Sequence, residues 1–180
     1  METKGKKTSR KPRILKFPDG FLWGAALAAY QVEGGITNND WAQDPKMPPA
    51  GLATDHYHRF EEDFRLAKKL NLNAMRISLE WARLEPEENQ WNDEELDHYF
   101  HVLHTLKKLG FQTFVTLHHF TNPAWVARQG GWANRKTVND FAGYAGKVCE
   151  KLGQYIDFWV TVNEPGIYAL FCYNDGIWPP

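Results

Sequence analysis

Apolar positions along the chain follow two alternating rhythms. Short, nearly continuous apolar runs predict strands at Leu22 to Ala28, Asn73 to Leu79, Gln112 to Leu117 and Tyr155 to Val162. Between them the spacing widens to three and four residues. In Asp55 to Leu70 the apolar side chains Tyr57, Phe60, Phe64, Ala67 and Leu70 fall on one face of a helix. Asp93 to Leu109 repeats the pattern with Leu96, Tyr99, Phe100, Leu103 and Leu106, and Gly110 follows as a C-terminal stop. A third helix, Thr137 to Leu152, gathers Phe141, Tyr144, Val148 and Leu152 and ends on Gly153. The predicted order is β-α-β-α-β-α-β, the pattern of helices covering a parallel sheet.

Two architectures contain that order: a doubly wound open sheet, and the first half of an eight-stranded barrel. An open dinucleotide-binding sheet would carry a GxGxxG turn after its first strand. Here Gly34-Gly35 stands in a long loop with Asn38, Asn39, Asp40 and Trp41. Each predicted strand instead ends in a polar or aromatic cluster: Tyr30-Gln31, Glu80-Trp81, His118-His119 and Asn163-Glu164. Sites assembled from successive strand ends at one face are the habit of the (β/α)8 TIM barrel. Such barrels take about 250 residues or more, so four strands in 180 residues make about four βα units, half of a large one. The expected fold is α/β, the first half of a (β/α)8 TIM barrel over residues 17–180, ending after strand 4.

Composition narrows the partners. With 43% hydrophobic and 24% charged residues the chain is a soluble globular type. A net charge of -1 offers no field for nucleic acid or an anionic membrane, so neither is expected as a partner. No stretch approaches the roughly 18 consecutive apolar residues of a membrane helix. Residues 1–16 are rich in Lys and Arg, but no apolar core or cleavage site follows. They are expected to form a solvated, disordered tail on a cytoplasmic protein. Cys149 and Cys172 lack the spacing of a metal site or a disulfide framework and are expected to be core thiols. No metal and no cofactor is expected.

The pentapeptide Thr161-Val162-Asn163-Glu164-Pro165 places an amide and a carboxylate where a strand gives way to a loop. Pro165 is expected to push Glu164 toward extended backbone angles. Strict alternation would point Asn163 and Glu164 to opposite faces, so the strand must end or bulge there. Glycoside hydrolysis uses two carboxylates, and Glu164 is the candidate for one.

Several further motifs agree. Phe21-Leu22-Trp23-Gly24-Ala25-Ala26 with Tyr30-Gln31-Val32-Glu33-Gly34, then Arg76-Ile77-Ser78-Leu79-Glu80-Trp81-Ala82-Arg83, Thr116-Leu117-His118-His119-Phe120 and Thr161 to Pro165 occur in that order. Together with Gly176-Ile177-Trp178-Pro179-Pro180 they resemble the N-terminal half of a glycoside hydrolase family 1 enzyme, the β-glucosidase and β-galactosidase group. The resemblance runs from about Phe17 to Pro180. It implies a retaining β-glycosidase acting on a β-glucoside or related oligosaccharide, with Glu164 as general acid/base. A carboxyl held neutral near pH 7 can protonate the leaving oxygen and then deprotonate water. The resemblance gives Asn163 the hydroxyl beside the anomeric carbon, Gln31 and His119 the outer hydroxyls, and Arg76 the task of keeping the nucleophile ionised.

Other residues carry less. His118 is expected to be scaffold, and zinc binding by His118 and His119 is disfavoured because neighbours on a strand point apart. Glu80 is expected to pair with Arg76 or Arg83. Trp125, Trp132 and Trp178 either wall the cleft or fill the core. Leu27-Ala28 and Phe120-Thr121-Asn122 depart from the frequent family pattern, which bears on sugar preference. In the family the nucleophile is a glutamate on the seventh strand, and nothing in this chain resembles its motif. The expected role is therefore half of a catalytic pair, completed by a C-terminal half. Two other readings stay open: a nucleotide-binding open sheet, and a non-catalytic or sugar-binding fragment.

Overall fold

The computed structural model describes residues 15–179; most of the predicted basic tail lies outside them. The chain runs β1 (Gly24–Ala26), α1 (Ala29–Val32), α2 (Asp40–Gln43), α3 (His56–Lys69), β2 (Ala74–Ser78), α4 (Trp81–Leu84), α5 (Asp93–Lys108), β3 (Gln112–His118), α6 (Ala124–Arg128), α7 (Lys136–Leu152), β4 (Phe158–Val162) and α8 (Pro165–Ala169). The strands form one parallel sheet in the order β1-β2-β3-β4, with Gly24 beside Ala74, Ala74 beside Gln112 and Phe114 beside Phe158. A doubly wound sheet reverses its strand order at a switch point. Among the described residues the order runs one way, as in the wall of a barrel.

One sheet face is covered. Met75, Ile77 and Val115 pack with Phe64 of α3, Leu103 and Leu106 of α5, and Tyr144 and Val148 of α7 in a single apolar cluster. Arg76 alternates with Met75 and Ile77 and so leaves that face. The helix ends follow ordinary capping chemistry. The Asn92 side chain accepts from the amides of Glu94 and Glu95, acids fill the first turn of α5, and Lys107 and Lys108 close it.

β1 and β4 differ by more than one residue from their predicted bounds. β1 is shorter than Leu22 to Ala28, although pairing continues past both ends: the Trp23 carbonyl accepts from the amides of Asn73 and Ala74, and Leu27 N–H donates to Arg76 O. Gly24 is required there, since a Cβ would sit 2.8 Å from the Ala74 carbonyl oxygen. α7 ends at Leu152 with Gly153 as its C-cap, as predicted, and Gly153 opens a 3-10 turn, Gly153–Tyr155. β4 consequently begins at Phe158, because Tyr155 packs on Phe100 and Asp157 is held by Lys107 Nζ and the Thr113 amide. Of the cysteines only Cys172 is buried; Cys149 is exposed on α7, so the expectation of two core thiols is corrected.

Candidate active site

The C-terminal ends of the strands face one side, and β2, β3 and β4 are tied there by one cation. Arg76 of β2 donates from Nε to Thr116 Oγ1 at 2.8 Å and from Nη2 to Asn163 Oδ1 at 2.7 Å. Asn163 is buried, and its own N–H donates to His118 O at 2.9 Å. Its amide orientation is thereby set: a guanidinium only donates, so Oδ1 faces Arg76 and Nδ2 is left to donate elsewhere.

β4 ends at Val162, so Asn163 and Glu164 escape strand alternation as the sequence required. Glu164 itself departs from expectation. Its backbone is left-handed, φ 43° and ψ 57°, not extended, with Pro165 as the first residue of α8. Helix α8 starts one residue after Glu164, and the chain turns sharply enough that the proline's preference for an extended predecessor is overridden. Phe120, two residues past the end of β3, is also left-handed at φ 72°. Glu164 is exposed among the described residues.

His119 is half-buried, and burial followed by the nearby Arg76 charge brings its imidazole down to about 4. It is neutral at ordinary pH and offers one donor and one acceptor. His118 turns the other way, into Trp132, Phe141 and Tyr168, which fits scaffold. The structure thus brings Arg76, His119 and Asn163 together. Gln31 is exposed on α1, a helix fastened to the end of β2 by Ala29 N–H donating to Ser78 Oγ.

Among the described residues Glu80 makes no ion pair with an arginine. Arg83 is engaged by Glu33 at 2.9 Å, Gly34 O at 2.6 Å and Glu95 at 3.4 Å, while Arg76 reaches across to Asn163. The Glu80 carboxylate accepts from Asn39 Nδ2 at 3.2 Å and from Thr121 Oγ1 at 3.0 Å, and burial pushes it up to about 7. Of the three tryptophans, Trp125 belongs to the core and donates to Glu85 O. Trp132 and Trp178 are half-buried near the strand ends, Trp178 packing on Trp41 and Phe120 with centroids 5.0 and 4.8 Å away.

Sequence reasoning gave no role to Asp40 and Asn122, which are buried beneath these groups. Asp40 Oδ2 accepts from Asn122 Nδ2 at 2.7 Å, and Oδ1 from the backbone N–H groups of Trp41 and Asn122, each at 2.9 Å. The available signal was the clustering of Asn38-Asn39-Asp40 and Thr121-Asn122 in two loops at strand C-termini. Among the described residues no cluster of three His, Cys, Asp or Glu side chains could hold a metal ion.

Comparison with known proteins gives a consistent result. The family model for glycosyl hydrolase family 1 matches residues 14–180. β-Glucosidase A of Thermotoga maritima is 36% identical over 180 residues, covering 93% of this chain and 40% of its own length. A β-glycosidase structure from Pyrococcus horikoshii superposes with a TM-score of 0.87 at 36% identity, covering 92% of this chain and 40% of its own. The Thermotoga maritima β-glucosidase in complex with castanospermine superposes at 0.84 with 34% identity, covering 91% of this chain and 40% of its own. The chain spans about 40% of the length of these relatives.

Proposed function

The chain belongs to glycosyl hydrolase family 1, and on that footing we propose that it carries the acid/base half of a retaining β-glycosidase of β-glucosidase type. The observation that carries the reading is the Arg76 to Asn163 hydrogen bond, which fixes an amide donor immediately before Glu164 at a strand end. Glu164 protonates the glycosidic oxygen as the bond to the anomeric carbon breaks. Once the leaving group departs, the same carboxylate takes a proton from the water that releases the sugar. Asn163 Nδ2 donates to the hydroxyl next to the anomeric carbon, a bond that strengthens as positive charge develops on the ring. His119, held neutral, both donates to and accepts from an outer hydroxyl, and Gln31 does the same from α1.

The reaction requires a second carboxylate about 5 to 5.5 Å from Glu164, to attack the anomeric carbon and form a glycosyl-enzyme. We assign it to a complementing half of the barrel that supplies the remaining strands. Two features support such a partner. Among the described residues β1 and β4 end the sheet with unpaired edges, and Phe158 and Trp159 are 43% and 39% exposed. The Arg76 guanidinium is held on Asn163, the residue before Glu164, where a fixed cation would favour an ionised nucleophile. The substrate is a β-glucoside or a related β-glycoside.

The test is leaving-group dependence in the completed barrel. Glu164→Ala should slow alkyl β-glucosides, which need a proton on the departing oxygen, at least a hundredfold more than dinitrophenyl β-glucoside, which does not, an estimate from the usual ~10²–10⁴ gain of acid catalysis. Equal losses on both substrates would remove the acid/base assignment.

A further inference from the structure

The two left-handed residues of the site, Phe120 and Glu164, lie on different loops, yet both are anchored to the same buried amide. Asn122 is fully buried and uses its whole hydrogen-bonding capacity. Its Nδ2 donates to Asp40 Oδ2 at 2.7 Å and to Tyr168 Oη at 2.8 Å. Its Oδ1 accepts from Trp132 Nε1 at 3.0 Å and pairs with His118 Nε2 at 3.1 Å. The His118 imidazole, brought down to about 4 chiefly by burial, is neutral, and its Nε2 also lies 3.4 Å from the Trp132 indole N–H. Four segments therefore meet on one side chain: the loop after β1, the end of β3, the loop before α7, and α8.

The consequence for the site follows from where those segments lead. Tyr168 sits on α8 one turn after Glu164, and its N–H donates to Glu164 O at 3.0 Å. Fixing the Tyr168 hydroxyl fixes the azimuth of α8, and with it the direction in which Glu164 leaves its left-handed backbone. On the other side, Asn122 N–H and Asp40 N–H exchange bonds with Asp40 Oδ1 and Asn122 O, at 2.9 Å each, locking the chain two residues after Phe120. A bulky residue at positive φ is strained and persists only where its surroundings over-determine it. Asn122 provides that determination at both positions.

We infer that Asn122 is a positioning residue for Glu164, acting through Tyr168. The inference rests on the acid/base reading for its functional meaning, but its geometry can be tested separately. Leucine at 122 would remove all four bonds and leave Asp40 without its amide donor. Tyr168→Phe is the milder variant, since it deletes one hydroxyl.

The test is NMR on the 180-residue chain with carboxyl-carbon and amide-exchange detection. Both Asn122→Leu and Tyr168→Phe should shift the Glu164 carboxyl resonance and speed exchange of the position-168 amide at least tenfold, leaving α3 and α5 amides unchanged. Where Asn122→Leu fails to fold, Tyr168→Phe decides. An unmoved Glu164 resonance with unchanged exchange at position 168 overturns the proposal. In the completed barrel Tyr168→Phe should also lower kcat for alkyl β-glucosides more than for dinitrophenyl β-glucoside. A uniform loss on both would mean that Tyr168 serves only stability. Failure of Glu164→Ala to discriminate leaving groups would instead overturn the acid/base reading, while the NMR result stands on its own.

Discussion

Replacing Glu80 by glutamine should alter the pH dependence of stability in a direction set by burial. Glu80 is 2% exposed and its hydrogen-bond partners are neutral, Asn39 and Thr121, so the Arg83 charge, engaged by Glu33, offsets its burial only in part. Burial moves it from an ordinary value of 4.5 to about 7. The folded state therefore holds this proton where the unfolded chain has released it. A raised pKa contributes stability that is complete below 4.5 and is lost as pH rises to about 7. The loss amounts to ~3 kcal/mol, at ~1.4 kcal/mol per pH unit across the window. Asp40, also raised by burial to about 7, adds to the same trend. Glutamine keeps the geometry without the charge: Oε1 accepts from Asn39, and Nε2 donates to the Thr121 hydroxyl. Urea unfolding followed by tryptophan fluorescence should find Glu80→Gln within ~1 kcal/mol of the parent at pH 5, as expected for an exchange of neutral hydrogen bonds. At pH 8 the variant should be the more stable by ~3 kcal/mol. Parallel pH curves for the two proteins would refute the reasoning, because they would mean that Glu80 titrates alike in both states.

Two further perturbations probe the frame around the site. Arg76→Met should cost about 2 kcal/mol in urea unfolding, since it removes a charged donor and strands the buried Asn163 oxygen; Arg76→Lys should not restore it, because an ammonium cannot serve Thr116 and Asn163 in the same fork. Trp81→Ala should cost ~3–5 kcal/mol, as expected for a large core aromatic, because Trp81 is 1% exposed and stacks on Tyr144 with centroids 4.9 Å apart; calorimetry would read this as a lower Tm.

The helices and the sheet were legible because their signals are local and repeated. The three- and four-residue spacing in α3, α5 and α7 needs no tertiary information to read, and their ends fell within a residue of the predicted ones. The start of β4 was not legible. Tyr155 and Ile156 look like strand residues, and only the contact with Phe100 and the Asp157 bridge to Lys107 explain why the ladder begins later. Motif resemblance pointed to Arg76, Asn163, His119 and Gln31; the structure joins Arg76 to Asn163 and sets His119 near the Arg76 charge, with Gln31 exposed on α1. The backbone of Glu164 was misread because a pairwise rule about proline was set against a turn dictated by α8. The Asp40 to Asn122 pair was invisible for a different reason. The two residues lie 82 positions apart, and a buried polar network has no periodicity to betray it.

The central claim, that Glu164 is one member of a catalytic pair whose partner comes from the complementing half, is tested most directly by hydrolysis of an aryl β-glucoside. No turnover is expected from the 180-residue chain alone, and turnover is expected when the barrel is completed. Azide should also restore the rate of Glu164→Ala in the completed form, since an anion can attack the glycosyl-enzyme without a base to deprotonate it. Saturable hydrolysis by the 180-residue chain alone, abolished by Glu164→Gln, would contradict the claim.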